Sequence, residues 1–252
     1  MKIFRPVAIL LCAVTLASCE KNAVTDITEP FPGANVKFFN FGVNAPGVNF
    51  YSNDAKVTAI NSTSGAELTT GTVYGAAGNG GLYSSLTPGQ YTFSGKIAAT
   101  TDKDLAVSKV AMTIVDKKYY SFYQSGLYSA ANKTVDAFVV EDPFPEVINF
   151  SVATVRFVNA IAGSNPASLS LKNQATGTVT PIGEAVAYKS AGTFTAIPAG
   201  VYDLAAAFPG AGVATRSTVT FNVGRTYTIG ARGDITASTG TTVPTLDNTA
   251  NR

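Results

Sequence analysis

The chain has 252 residues, 46% of them hydrophobic and only 13% charged, with no histidine and no tryptophan. That length has room for two domains of about 100 to 120 residues, and the apolar share excludes a disordered chain, which would be more charged and less hydrophobic. Lys and Arg number 18 against 16 acids, and residues 1–18 hold two of those bases, so the remainder is neutral and offers no electrostatic case for nucleic-acid binding.

The first residues read as a processing signal. Lys2 and Arg5 form a positive start, residues 7–14 (VAILLCAV) a short apolar run, and Leu16-Ala17-Ser18-Cys19 follows directly. The run is too short to span a bilayer, so export and cleavage are expected. LASC resembles the bacterial lipobox, which implies a lipoprotein signal peptide over 1–18 and acylation of Cys19, Cys12 being discarded. An ordinary secretory signal with a chance Cys is the alternative. Residues 19–33, with Pro30 and Pro32, read as a tether.

A first β-domain is expected over 34–143. Strands are expected at 35–41 (NVKFFNF), 48–51, 56–60, 90–98, 107–115, 119–123 and 135–140, with loop residues between them. The Gly-rich stretch 71–81 (GTVYGAAGNGG) lacks the lysine and following helix of a phosphate cradle and reads as a mobile surface loop. Residues 144–152 read as a linker, 153–236 as a second domain and 237–252 as a flexible tail.

Three segments recur in the same order. Residues 155–159 (VRFVN) match 36–40 (VKFFN): apolar, basic, Phe, apolar, Asn. Residues 196–208 (AIPAGVYDLAAAF) match 85–98 (SLTPGQYTFSGKIA), so that Leu86, Gly89 and Tyr91 correspond to Ile197, Gly200 and Tyr202. A closing hairpin repeats as well, with Tyr120, Phe122 and Gly126 matching Tyr227, Ile229 and Gly233. Ordered repetition of this kind argues for duplication. The expected fold is all-β, two tandem immunoglobulin-like or transthyretin-like β-sandwich domains behind a lipoprotein signal peptide.

The second copy carries further patterns: VRFVNA, then AYKSAGTFTAIPAGVYDLAAAFPG, then NVGRTYTIGARG. These resemble the bacterial domain of unknown function numbered 4397. The first copy departs from that pattern at Thr87-Pro88-Gly89 and at Asp116-Lys117-Lys118, but its NAPGVNFY (44–51) is similar to it. The resemblance spans roughly 33 to 235 and implies a fold; it brings no catalytic residues.

Absent histidine removes Ser-His-Asp and Cys-His systems and His-based zinc sites. A paired-carboxylate hydrolase would draw on Glu67, Asp102, Asp104, Glu141, Asp142, Glu184 and Asp203, although these also read as solvated loop charges. Asp102 and Asp104 could hold Ca²⁺, but without EF-hand spacing. Ser108-Lys109 sit on opposite faces of a strand, which argues against Ser-Lys catalysis. The aromatic run is the candidate binding feature. Strand alternation puts Tyr120 and Phe122 toward the core and turns Tyr119 and Tyr123 outward; with Tyr128 they would form a ligand-binding face, unless they are buried against loop 71–81 or the other domain.

The expected protein is therefore a non-catalytic, membrane-anchored lipoprotein of the bacterial cell envelope, in the outer membrane and facing either the periplasm or the exterior. Binding or adhesion to a glycan or envelope protein is the first expectation. A structural or accessory spacer is the alternative, and a carboxylate-dependent glycoside hydrolase is third. No cofactor, metal or nucleic-acid partner is expected; the membrane partner acts through the lipid.

Overall fold

The computed structural model describes residues 33–58 and 69–251. The signal peptide, Cys19, most of the tether and Glu67 lie outside the described residues.

Among the described residues, eighteen strands divide into two sets of nine. The first set is β1 (Ala34–Val43), β2 (Val48–Ser52), β3 (Ala55–Lys56), β4 (Ala76–Ala77), β5 (Ser84–Leu86), β6 (Gly89–Ile97), β7 (Ala106–Ile114), β8 (Tyr119–Ser129) and β9 (Thr134–Glu141). The second is β10 (Ala153–Asn159), β11 (Ala167–Asn173), β12 (Val179–Val186), β13 (Ser190–Ala191), β14 (Thr195–Ile197), β15 (Gly200–Phe208), β16 (Gly212–Phe221), β17 (Thr226–Arg232) and β18 (Thr245–Ala250). The pairings repeat strand for strand. A sheet β4-β1-β8-β9, with β5 also on β1, faces a sheet β3-β2-β6-β7. The second set has β13-β10-β17-β18, with β14 on β10, facing β12-β11-β15-β16. Each set is a β-sandwich, and in each the first strand runs parallel to the eighth.

Alternation along the strands explains the layers. Val36, Phe38, Tyr120 and Phe122 point into the first core, as Val155, Phe157, Tyr227 and Ile229 point into the second. The opposite faces of these same strands are also buried: Phe39, Phe41, Tyr123 and Phe138 pack with Val158 and Ala160. The two sheets built on β1 and β10 thus lie against each other, making four layers within one compact unit, 33–252. A strand covered on both faces is buried along almost its whole length, as β1 is, with Lys37 and Asn40 buried among its apolar residues.

The repeated Pro-Gly turns connect sheets rather than closing hairpins. Ile197 ends a strand on β10, and Gly200 begins a strand in the opposite sheet. Tyr202 holds the turn by donating its hydroxyl to the Pro198 carbonyl at 2.8 Å, as Tyr91 does to Thr87 at 2.9 Å. The expected closing hairpin is likewise a crossing, since β7 and β8 belong to different sheets. Lys117 and Gly224 take positive φ of 61° and 68° at the two equivalent turns. Glycine adopts that conformation at no steric cost, and lysine only with some strain.

Three features differ from expectation. Residues 237–252 are not a frayed tail, because β18 pairs with β17 along six residues and buries Leu246 at 1% exposure. Asp142 is not a solvated loop charge, since it is 1% exposed just beyond the end of β9. The expected surface loop 71–81 is also partly structural, since it supplies β4 and a 3₁₀ turn at Gly78–Gly81, and Thr72 bridges to Val48.

The repeated asparagines tie the C-terminal parts of the first strands to neighbouring backbone. Asn159 donates to the Val186 carbonyl at 3.1 Å and to Ser164 Oγ at 3.0 Å, and accepts from the Ile161 amide at 3.0 Å. Asn40 does the same work with Thr72, Gly42 and Gln124. Asn159→Ala leaves a buried amide and carbonyl without partners and is expected to lower stability by about 1–3 kcal/mol, read from urea denaturation.

Candidate functional site

The seam between the sandwiches brings Tyr119, Tyr123, Glu141 and Asp142 together with side chains that the sequence did not single out, and it is built by exchange. Lys37 of β1 and Arg156 of β10 occupy equivalent positions, and both are buried. Each lies over an aromatic ring of its own repeat: Lys37 Nζ is 4.1 Å from the centre of Tyr83, and the Arg156 guanidinium carbon is 4.8 Å from that of Phe194. Each then reaches the end of the last strand of the other repeat. Arg156 donates to the Glu141 carbonyl at 2.9 Å and is paired with Asp142. Lys37 donates to the Ala250 carbonyl at 3.5 Å and to Asn251 Oδ1 at 3.2 Å. Register makes these targets equivalent, because Glu141 stands opposite Tyr120 as Ala250 stands opposite Tyr227. This is the contact pattern of an isologous interface, written within one chain.

Asp142 is the most heavily committed group. Besides Arg156 it accepts from Tyr83 Oη at 2.7 Å and Ser121 Oγ at 2.8 Å, while its amide donates to the Tyr119 carbonyl at 2.7 Å. On the other side Asn251 donates to Thr228 Oγ1 at 2.7 Å, and Arg156 Nε donates to the same hydroxyl at 3.0 Å. Burial, together with the Asp142 carboxylate, pushes the Tyr83 phenol above its ordinary range.

Lys37 is tuned in the opposite sense. Burial brings its pKa from 10.5 down to about 8; Asp142 works against that fall and Arg156 adds to it. Below pH 8 both the folded and the unfolded chain hold this proton, so the group adds no pH dependence. Between pH 8 and 10.5 the unfolded chain holds a proton that the folded chain has released, so stability rises with pH. At 1.36 kcal/mol per pKa unit the rise is at most about 3 kcal/mol. It should be readable up to about pH 9.5, above which ionisation of the unfolded chain's tyrosines, half complete near about pH 10, opposes it. Denaturation midpoints between pH 7.5 and 9.5, chosen as roughly the span below that limit, are expected to climb in the native chain and to stay level in Lys37→Met.

The three candidate ligand-binding tyrosines do not form one face. Tyr123 is 1% exposed, stacked on Phe39 at 4.7 Å and on Phe138 at 5.1 Å between ring centres. Tyr119 is half-buried, edge-on to Tyr83 and Phe144. Tyr128 is half-buried against the first core. The second repeat covers Tyr123: over the rings of the first repeat it places Val158, Ala160 and Ala191, and a Cβ on Gly230, the counterpart of Tyr123, would come within 3.0 Å of the Phe41 ring. The first repeat supplies rings and the second supplies room for them.

The candidate carboxylates are spent on structure or stand apart. Asp102 pairs with Lys133 at 2.7 Å, Asp104 accepts from Tyr51 Oη at 3.0 Å, Glu141 pairs with Lys118 at 2.9 Å and Asp203 accepts from Gln174 at 2.8 Å. Glu184 is exposed. Ser108 is buried and donates to Gln124 Oε1 at 2.8 Å, on the face opposite the exposed Lys109. Among the described residues no three Asp, Glu, His or Cys side chains gather to hold a metal ion. Sequence reasoning missed Lys37, Tyr83, Arg156 and Asn251; the repeated base in VKFFN and VRFVN was the available signal.

One open groove borders the seam. It has a volume of about 390 Å³ and runs between Gly75, Gly80 and Gly81 on one side and residues 247–250 of β18 on the other. The Arg232–Asp247 pair flanks it, with Tyr74 4.8 Å from the Arg232 guanidinium carbon.

Fold and seam together define a fused pair of β-sandwiches joined face to face through a buried polar exchange. No family model matches the chain, and no curated protein matches it. Among solved structures, it is similar to a candidate cell adhesion protein from Bacteroides ovatus ATCC 8483, at 11% identity over 86% of this chain and 95% of that one, with a TM-score of 0.26. It is also similar to a leucine-rich repeat protein from Bacteroides thetaiotaomicron VPI-5482, at 13% identity over 81% of this chain but 26% of that one, with a TM-score of 0.20. Scores of this size carry no argument about function.

Proposed function

We propose that the protein is a non-catalytic lipoprotein of the bacterial cell envelope, anchored through Cys19, whose double sandwich serves as a rigid spacer. The observation that supports this reading is the burial of Tyr123 in the seam, which turns the expected ligand face into the joint between the two sandwiches. The histidine-free sequence and the structural commitments of the carboxylates argue for a non-catalytic role. The LASC tetrapeptide after a short apolar run is the support for lipid at Cys19.

A second reading, a binding or adhesion module for a glycan or envelope protein, is favoured by the groove beside β18, which offers amide, carboxylate and hydroxyl groups from residues 247–249 next to the buried rings of Phe39 and Phe41. Glycan-array and envelope pull-down screens of the mature chain separate the two. A hit that Thr249→Trp abolishes, with unfolding unchanged, selects the binding module. No retained ligand, together with loss of an envelope phenotype when the body is replaced by an unstructured linker of equal reach, selects the spacer.

A further inference from the structure

We infer that the end of the body carrying Gly33 and the crossing segment 143–152 is a membrane-apposed surface that rests its apolar side chains in the headgroup region of the bilayer. This rests on the reading of Cys19 as the lipid anchor.

The starts of β1 and β10 lie at one end of the molecule. Lys37 and Arg156 are both near Asp142, and the Phe144 ring meets Tyr119 of the first repeat at 5.1 Å and Phe194 of the second at 5.6 Å between centres. Gly33 is fixed at this end by donating its amide to Asp116 Oδ1 at 2.8 Å and accepting from the Lys117 amide at 2.9 Å. On the second repeat the equivalent turn at Gly224 lies under the Phe150 ring and Ile148.

Apolar side chains are left in water at this same end. Val147 is 81% exposed, Phe150 75%, Val115 and Val223 48% each and Ile148 37%. Val115 and Val223 sit on or beside the two crossing turns, and the other three lie on the segment between the sandwiches. An apolar notch of about 220 Å³ opens among Val147, Ile148 and Phe194. Scattered exposed valines need no explanation, but a cluster of this kind marks an interaction surface.

The occupant follows from where the chain goes next. Gly33 lies fourteen residues after Cys19, and at about 3.3–3.6 Å per step the chain between them reaches no more than about 50 Å. The apolar end is the one at which the tether enters the body, within that reach of an anchoring bilayer. Lys117, Lys118 and Arg225 stand there with Asp116, Glu141 and Glu146, so charge is balanced and insertion of apolar side chains, not attraction to anionic lipid, is the driving term.

The test uses the acylated mature chain, in which lipid consumes the Cys19 thiol, so that Val147→Cys or Val213→Cys supplies a unique label. Val213 is 61% exposed at the far end of the β15–β16 hairpin and serves as the distant reference. Each labelled chain is reconstituted into phosphatidylcholine and phosphatidylethanolamine vesicles containing nitroxide lipid. A polarity-sensitive fluorophore at 147 is expected to shift to the blue and to be quenched at least about threefold more than at 213, little changed by salt. An acylated chain whose 147 label stays as exposed as the 213 label overturns the apposed surface while leaving the anchor standing. A shielded but unquenched label on a chain that sediments as a dimer overturns it in favour of a second copy. An N-terminal peptide mass without acyl chains overturns the anchor, and this inference with it.

Discussion

Asp142→Ala is expected to lower the stability of the whole body by about 3–5 kcal/mol, the range for removing one partner of a buried ion pair. Arg156 and Asp142 have side-chain exposures of 1% and 0%, so the guanidinium would stay buried with no carboxylate to meet it. Tyr83 and Ser121 would lose their acceptor at the same time. The loss comes from the orphaned charge and not from any large intrinsic value of the pair, because desolvation offsets much of its attraction. The double variant Asp142→Leu with Arg156→Met should therefore recover a substantial part of the loss. Urea unfolding of the three chains checks this; a double variant no more stable than the single one would contradict it.

Tyr123→Ala is expected to lower stability by about 3–5 kcal/mol, as truncating a large buried ring does. It opens a cavity between Phe39, Phe41 and Phe138 in the layer where the two sheets meet. Phe138 and Phe39 cannot close that gap without drawing Val158 and Ala160 across from the other repeat. Unfolding should also lose cooperativity, with the two sandwiches melting in separate steps by calorimetry. Tyr123→Phe should cost much less, since the ring and its stacking remain. A Tyr123→Ala chain as stable as the native one would remove the seam from the account of stability.

Much of the architecture was legible in the residues, and the misses share a physical cause. Alternation in Tyr119 to Tyr123 told which side chains enter the first core, and they do. It could not say what lies beyond the other face, because that depends on a second copy docking there, and small residues such as Gly230 and Ala160 carry no periodic signal. The last strand was hidden by composition: TLDNTA has one buried apolar residue, Leu246, and is held by backbone pairing to β17. Counting strands between the copies would have found it, since ending the second copy near Gly233 leaves it one strand short. Asp142 was hidden by its neighbours, a run of prolines and acids that reads as solvent-exposed. Only the exchange across the seam reveals its partner. The lipid signal, in contrast, is local in sequence and needs no partner to be read, but it lies outside the described residues.

The seam has a consequence that separate subunits could not reach. Two identical protomers meeting about a symmetry axis must place the same pair of side chains at both mirrored contacts, so any mismatch is suffered twice. Here the two sides are separate stretches of one chain, and the two contacts are chemically unequal: guanidinium with carboxylate at one, ammonium with carboxamide at the other. Bulky rings on one side facing glycine and alanine on the other follow the same rule. Such a pairing is asymmetric, and each half carries the complement of the other's side chains, not of its own.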